Sequence, residues 1–335
     1  MGKGHAVGAD MGQESIMERI TSQFGATTTA LEVVAGHDLS GRTAIVTGGA
    51  AGLGLQTVRA LAQAGATVVI GARSTAAGEQ AIAQIEPASA KRISVEPLEL
   101  GSFASVRQFA ARWGHRPLDL LINNAGVMAT PQGLTQDQLE TQIGINHFGH
   151  FLLTLRLIPA LEAGARRSGH FSRVVVLSSG GHRLSPIHFD DPHYRARPYD
   201  KWEAYGQSKT ANALFAVELS RRFKDRGVVA NSVMPGRIRT GLIRHLSDED
   251  LARFGSHPRQ DTPPPGYKTP EQGAATTVWA AVAQELEGVG GLYLEDCAQA
   301  VPATPELRRS GVMPHALDPL AAERLWTLSE RTVAN

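Results

Sequence analysis

Tyr205 and Lys209 stand four residues apart in the stretch AYGQSK, directly ahead of the apolar run TANALFAVEL. On a helix that spacing puts both side chains on one face. An ammonium beside a phenol favours the phenolate, and so turns a group that titrates at about 10 into a usable proton donor and acceptor. The same spacing also suits a solvated helix face, so the pair takes its meaning from whatever positions it. Other chemistry-bearing groups are sparse. His182, His188 and His193 fall with Asp190 and Asp191 in one segment but follow no recognised metal-ligand spacing, so no metal site is expected. They are assigned to a pocket entrance or to solvent, with His182, in GHRLS, a further candidate for the substrate side. Cys297 is the only cysteine, which rules out an internal disulfide and a cysteine-based metal cage and fits a reducing, cytoplasmic setting.

The elements that must hold these groups form an alternating series. Runs rich in β-branched residues at TAIVT (43–47), TVVIG (67–71), RISVEPL (92–98), LDLLIN (118–123), RVVVLS (173–178), VVANSVM (228–234) and GLYL (291–294) are separated by helix-length segments. GLQTVRALAQAG and QDQLETQIGINHFGHFLLTLRLIPALEAG are two of these. Near-continuous apolar strands parted by helices predict an α/β fold: a single Rossmann-type, doubly wound parallel sheet of about seven strands, with helices on both faces. We place this domain at 37–335, behind an extension, 1–36, whose Ile16, Met17, Ile20 and Phe24 have helical spacing. Two segments, 180–204 and 237–270, break the rhythm, and connections of that length usually carry function.

With 42% hydrophobic residues and a net charge of +1, no global field points to nucleic acid or an anionic membrane surface. The best membrane candidate, FLLTLRLIPAL (151–161), contains Arg156 and Pro159 and falls short of the roughly 18–20 apolar residues a span needs. The first residues lack the apolar core of a secretory signal.

TGGAAGLG, Thr47 to Gly54, joins the first strand to the first helix. Gly48, Gly52 and Gly54 are spaced for a tight turn, approach to a pyrophosphate, and close packing of helix on strand, while the helix N-terminus supplies N–H donors. A ligand-free turn could use the same glycines, but their place inside a βαβ unit favours a dinucleotide. The second strand ends in VIGARS, with Ala72 and Arg73 where an NAD-selective site would carry an acidic residue. A basic residue there accommodates the 2′-phosphate, so NADP(H) is the favoured cofactor and NAD(H) the alternative.

NNAG (Asn123–Gly126), Asn146 within GINHFGHFLL, LSS after the fifth strand, YGQSK, and MPGRIRT after the sixth together resemble the short-chain dehydrogenase/reductase family. TTTALEVVAGHDLSGRTAIVTGG, QGAATTVWAAVAQELEGVGGLYLEDC and LWTLSER are similar to the branch of retinol dehydrogenases and the WW-domain-containing oxidoreductase, here without WW modules or a membrane anchor. The resemblance implies a tetrad. Tyr205 is the acid/base, Lys209 also bonds the nicotinamide ribose, Ser179 rather than Ser178 bonds the substrate oxygen, and Asn146 holds a water that relays protons to Lys209.

It further implies cofactor contacts from Ala51 and Leu53 beside the glycines, and from Glu99, which stands where an aspartate near the adenine is usual, with Leu100. Asn124, Ala125 and Gly126 follow, then Pro235, Gly236, Ile238 and Thr240 around the nicotinamide, with Tyr205 and Lys209. The implied activity interconverts an alcohol and a ketone or aldehyde on a moderately apolar small molecule. The implied assembly is a homodimer or homotetramer through the Asn146 and Tyr205 helices. NAD-dependent alcohol oxidation and a non-catalytic, nucleotide-binding scaffold are the alternatives.

Overall fold

The structure is a computed structural model and describes residues 18–238, 241–242, 246–253, 266–307 and 310–334. Its sheet contains β1 (Thr43–Thr47), β2 (Thr67–Ala72), β3 (Ile93–Pro97), β4 (Leu120–Asn123), β5 (Ser172–Leu177), β6 (Val228–Met234), β7 (Tyr293–Glu295) and β8 (Ala298–Gln299). They lie in the order β3-β2-β1-β4-β5-β6-β7-β8. All neighbouring pairs are parallel except β7 with β8, which is antiparallel. Alternation along each strand explains why both faces must be covered. Ala44 and Val46 feed one core and Ile45 the other, and Leu120 and Ile122 oppose Leu121 in the same way.

The expected strands are present with shifted ends. β4 begins at Leu120 rather than 118, because the buried Asp119 carboxylate is a polar fixture at the sheet's end: it accepts Thr43 N–H at 2.7 Å and pairs with Arg167. β8, only two residues long, is too short to show a period and adds an eighth strand.

Three helical features position the site. The helix Gly52–Gln63 follows the glycine loop. Helix begins only at Thr141, not at 136, since the Glu140 carboxylate caps it by accepting Gln142 and Ile143 N–H. The chain then passes through a π-helical turn, Gly144–Gly149, before the helix His150–Ser168, so Asn146 sits in the irregular turn rather than in regular helix. The tyrosine helix, Lys201–Phe223, starts one turn ahead of Tyr205, capped by Asp200, which accepts Trp202 and Glu203 N–H.

The C-terminal helix Pro319–Ala334 packs against the tyrosine helix and the π-helical turn. Trp326 packs against Phe151 and Phe215, and Ser329 Oγ bonds His147 Nε2 at 2.7 Å. The expected helix in the extension is not found at 18–24. This stretch runs beside β8 instead, where Gln299 N–H donates to Ile20 O and Ser22 Oγ to Cys297 O. Ile20 and Phe24 still pack on the core; Ile16 and Met17 lie outside the described residues.

Candidate active site

The strand order reverses between β1 and β4, and beyond the carboxyl ends of the strands opens a cavity of about 1210 Å³. At one end it is lined by the glycine loop. A Cβ on Gly54 would lie 2.4 Å from Gly48 O and 2.5 Å from Asn124 Nδ2, so only glycine lets the helix press against the loop. Asn124 braces that contact by donating from Nδ2 to Thr47 O at 2.8 Å. At the helix start, Ala51 makes no side-chain cap, so the first N–H groups face the cavity without a competing side chain. This is the geometry a pyrophosphate requires, and the residues fit a dinucleotide.

Arg73 lines the same end with its side chain 70% exposed, and its Nε lies 3.9 Å from Glu99 Oε2. So exposed and loose a pair is weak. Every described residue expected at the nucleotide lines the cavity: Ala51, Leu53, Leu100, Ala125, Gly126, Pro235, Gly236 and Ile238 join those already placed. Thr240 falls outside the described residues, as does much of 237–270.

At the other end lie Tyr205, Lys209 and Ser179. Burial pushes the Tyr205 phenol up to about 12, with the Ser179 hydroxyl as the opposing influence, and pushes Lys209 down to about 8. Lys209 Nζ donates to Leu177 O at 3.0 Å and stands 5.7 Å from the Tyr205 ring centroid. Desolvation penalises both charged forms.

The two serines separate cleanly. Ser178 Oγ donates to Lys209 O at 2.8 Å, whereas Ser179 Oγ accepts Gly181 N–H at 3.0 Å and acts to lower the Tyr205 phenol against the effect of burial. Asn146 lies behind the cavity wall. Its Oδ1 accepts Val127 N–H, and its Nδ2 donates to Val127 O and to the hydroxyl of Ser208, the neighbour of Lys209. The side chain therefore braces Val127 and the residue before Lys209.

The histidines are not at the cavity. His182 is fully buried behind Ser179, His188 Nε2 is 2.9 Å from Glu203, and His193 Nδ1 accepts Glu140 N–H. Several participants were not evident in the sequence. The Thr47 hydroxyl accepts N–H from Asn124 and Ala125 and lies 2.8 Å from His150 Nε2. The one hint is a threonine closing an apolar strand. Leu184 and Trp202 from the first long segment, and Tyr267 from the second, wall the cavity. Asp250 ties the two segments together, accepting from Lys201 Nζ at 2.5 Å and Trp202 Nε1 at 3.2 Å.

A dinucleotide-sized cavity at the switch point of a doubly wound sheet defines the class: a Rossmann-type oxidoreductase. The chain belongs to the short-chain dehydrogenase family, whose model, described as short chain dehydrogenase, matches residues 42–251. Proteins of this family bind NAD(P)(H). A probable oxidoreductase of Streptomyces lividans is 47% identical over 302 residues, covering 89% of this chain and 99% of the relative. Human retinol dehydrogenase 13 is 38% identical over 302 residues, covering 88% and 85%, in keeping with the branch resemblance. Among solved structures, an uncharacterized protein of Mycobacterium paratuberculosis superposes with a TM-score of 0.69 at 33% identity, covering 92% of this chain and 98% of that one. Among the described residues, no helix is long and apolar enough to cross a membrane.

Proposed function

We propose that the chain is an NADP(H)-dependent short-chain reductase that converts a ketone or aldehyde on a moderately apolar small molecule to its alcohol. The observation that carries this reading is the convergence of Tyr205, Lys209 and Ser179 on the cavity end that also holds Pro235 and Gly236, with Arg73 at the opposite end. Bound there, the nicotinamide supplies the hydride. The protein supplies the proton. A phenol held near 12 is protonated throughout the neutral range, which is the form that can donate to a carbonyl oxygen as it gains charge. Ser179 Oγ already accepts Gly181 N–H, so its own hydrogen is left for the substrate oxygen, as in an oxyanion hole. Lys209, charged below about pH 8, favours the phenolate left behind.

The substrate class follows from the walls. Among the described residues, Lys268 at that end is paired with Asp296, while Arg183 donates to Ser310 O and Arg237 to Tyr267 OH. Leu184, Trp202, Met128 and Leu246 supply apolar surface beside them. The name of the human relative, a retinol dehydrogenase, points the same way. One observation favours NAD-dependent oxidation as a second reading: Glu99, 3.9 Å from Arg73, offsets the charge that would select the 2′-phosphate. A cytoplasmic location is part of the same reading, and the free, buried Cys297 is at home in that reducing setting.

The test is nicotinamide fluorescence during titration with NADPH and NADH, for wild type and Arg73→Glu, followed by turnover of medium-chain and isoprenoid aldehydes. NADPH preference that disappears in the variant supports the reading. Binding of neither nucleotide sinks it.

A further inference from the structure

We propose that His182 and Tyr293 form a clamp on the main-chain carbonyl of Ser179, and that this clamp aims the Ser179 hydroxyl at the reacting oxygen. The inference rests on the reductase reading above and adds two positioning residues to it. Both lie outside the cavity lining and are almost wholly buried, at 0% and 1% exposure.

Hydrogen-bond bookkeeping sets the tautomer. Met313 N–H donates to His182 Nε2 at 3.1 Å, so that nitrogen must be bare. A neutral ring then carries its hydrogen on Nδ1, which lies 2.7 Å from Ser179 O. Tyr293, on β7, donates its O–H to the same carbonyl at 2.9 Å. Tyr293 OH also lies 3.0 Å from His182 Nδ1, so the two donors converge on one acceptor. His315 Nε2 in turn donates to His182 O at 3.0 Å and holds the backbone that carries the ring. Burial pushes His182 down to about 4, so the neutral ring that this network requires is the form present at neutral pH.

The clamped peptide opens the 3-10 turn Gly180–Leu184, whose backbone bond from His182 N–H to Ser179 O, at 3.0 Å, is reinforced by the two side-chain donors. Ser179 is followed by Gly180 and Gly181, and a Cβ at Gly181 would lie 2.6 Å from the Tyr205 ring. The loop therefore has no side chains of its own to fix it, and it is pressed between the phenol in front and the clamp behind. With the carbonyl accepting from His182 N–H, His182 Nδ1–H and Tyr293 OH, and Oγ accepting Gly181 N–H, the plane and direction of Ser179 are set from both ends. Positioning of this kind is worth a large factor, because a displacement of about 1 Å at a catalytic group costs roughly a hundredfold in rate.

The histidine's two nitrogens have different tasks, which makes the test sharp. His182→Asn keeps a side-chain N–H near the Nδ1 position and so the bond to Ser179 O. His182→Gln keeps an acceptor near the Nε2 position and so the bond from Met313. With NADPH and decanal or citral as probes, we expect His182→Gln to lose kcat by roughly a hundredfold and Tyr293→Phe by about tenfold. His182→Asn should stay within a few-fold of wild type. The NADPH Kd should be unchanged in all three, and the aldehyde KM should change far less than kcat.

The opposite ranking, Gln active and Asn inactive, overturns the clamp in favour of a merely structural anchor for the Met313 segment. So does wild-type kcat in both Tyr293→Phe and His182→Gln. Nitrogen-15 NMR of the full-length wild type gives a second readout independent of turnover. A hydrogen on Nδ1 of His182 is expected, and a hydrogen on Nε2 overturns the clamp even where turnover is normal. Wild type that binds NADPH but reduces neither aldehyde overturns the reductase reading, and the rate effect of the clamp with it.

Discussion

The two ends of the cavity are built from different materials. The nucleotide end is mostly main chain: one continuous octapeptide, Thr47–Gly54, braced by Asn124 and closed by a helix start without a side-chain cap. The catalytic end is mostly side chain. Tyr205 and Lys209 come from one helix and Ser179 from the turn after β5, and they are aimed by buried groups that never reach the cavity, including Asn146, His182 and Tyr293. A main-chain cradle depends on what is missing at a few positions. A side-chain constellation depends on what is present at many, some of them distant in sequence. The two ends should therefore fail differently: one in affinity, the other in turnover.

The sharpest separation should come from Tyr205→Phe, which removes the proton donor and leaves the cradle intact. Turnover should fall by about 10²–10⁴ while the NADPH Kd stays within about twofold, as stopped-flow turnover and fluorescence titration would show. A comparable loss of NADPH affinity would break the division between the ends. Next in size is Gly54→Val, whose Cβ meets Gly48 O at 2.4 Å. We expect the NADPH Kd to rise by on the order of a hundredfold, with far-UV circular dichroism retained, because the clash displaces the helix N-terminus that receives the phosphates.

Arg73→Glu should act more mildly, since the guanidinium is largely exposed and already shares its charge with Glu99. A loss of NADPH affinity of about tenfold, with NADH affinity unchanged, would sharpen the picture of a selective but loose end.

The smallest effect at neutral pH concerns the interior beside the catalytic end. Burial holds His147 near 3 and His150 and His182 near 4, all below the ordinary 6.5. For bases with depressed folded pKa values, the unfolded chain takes up protons first. Their neutral burial is thus fully compatible with stability above about pH 6.5 and increasingly unfavourable as pH falls from there toward 4. Each contributes up to about 1.4 kcal/mol of lost stability per pH unit in that window. Calorimetry should show Tm nearly flat above pH 7 and falling steeply between pH 6 and 5.

The sheet and the nucleotide end were legible in sequence because their information is local. An apolar strand, a spaced set of glycines and a helix start are contiguous, and period and composition suffice to read them. Tyr205, Lys209, Ser179 and Asn146 were legible as residues, through the resemblance, but not their electrostatics. A four-residue spacing reports that two groups share a helix face, not how deeply they are buried, and burial is what set the direction of the Tyr205 shift. Asn146 could be found, yet the π-helical turn around it could not, since no residue in GINHFG marks an extra backbone step. In GHRLS, His182 reads equally as an entrance, solvent or substrate-side residue. Its partners, Tyr293 and Met313, come from the far end of the chain and carry no sequence mark of their meeting.

The last helix has a consequence for how the molecule is made. Trp326 and Ser329 complete an aromatic core whose other members, His147, Phe151 and Phe215, are synthesised far earlier. Arg107 Nη2 is likewise waiting for Val333 O. A nascent chain can assemble its sheet but must hold that apolar face uncovered until residues 319–334 have emerged. A chain broken off before Pro319 would thus display phenylalanines that the last helix covers, a mark that cellular quality control could recognise.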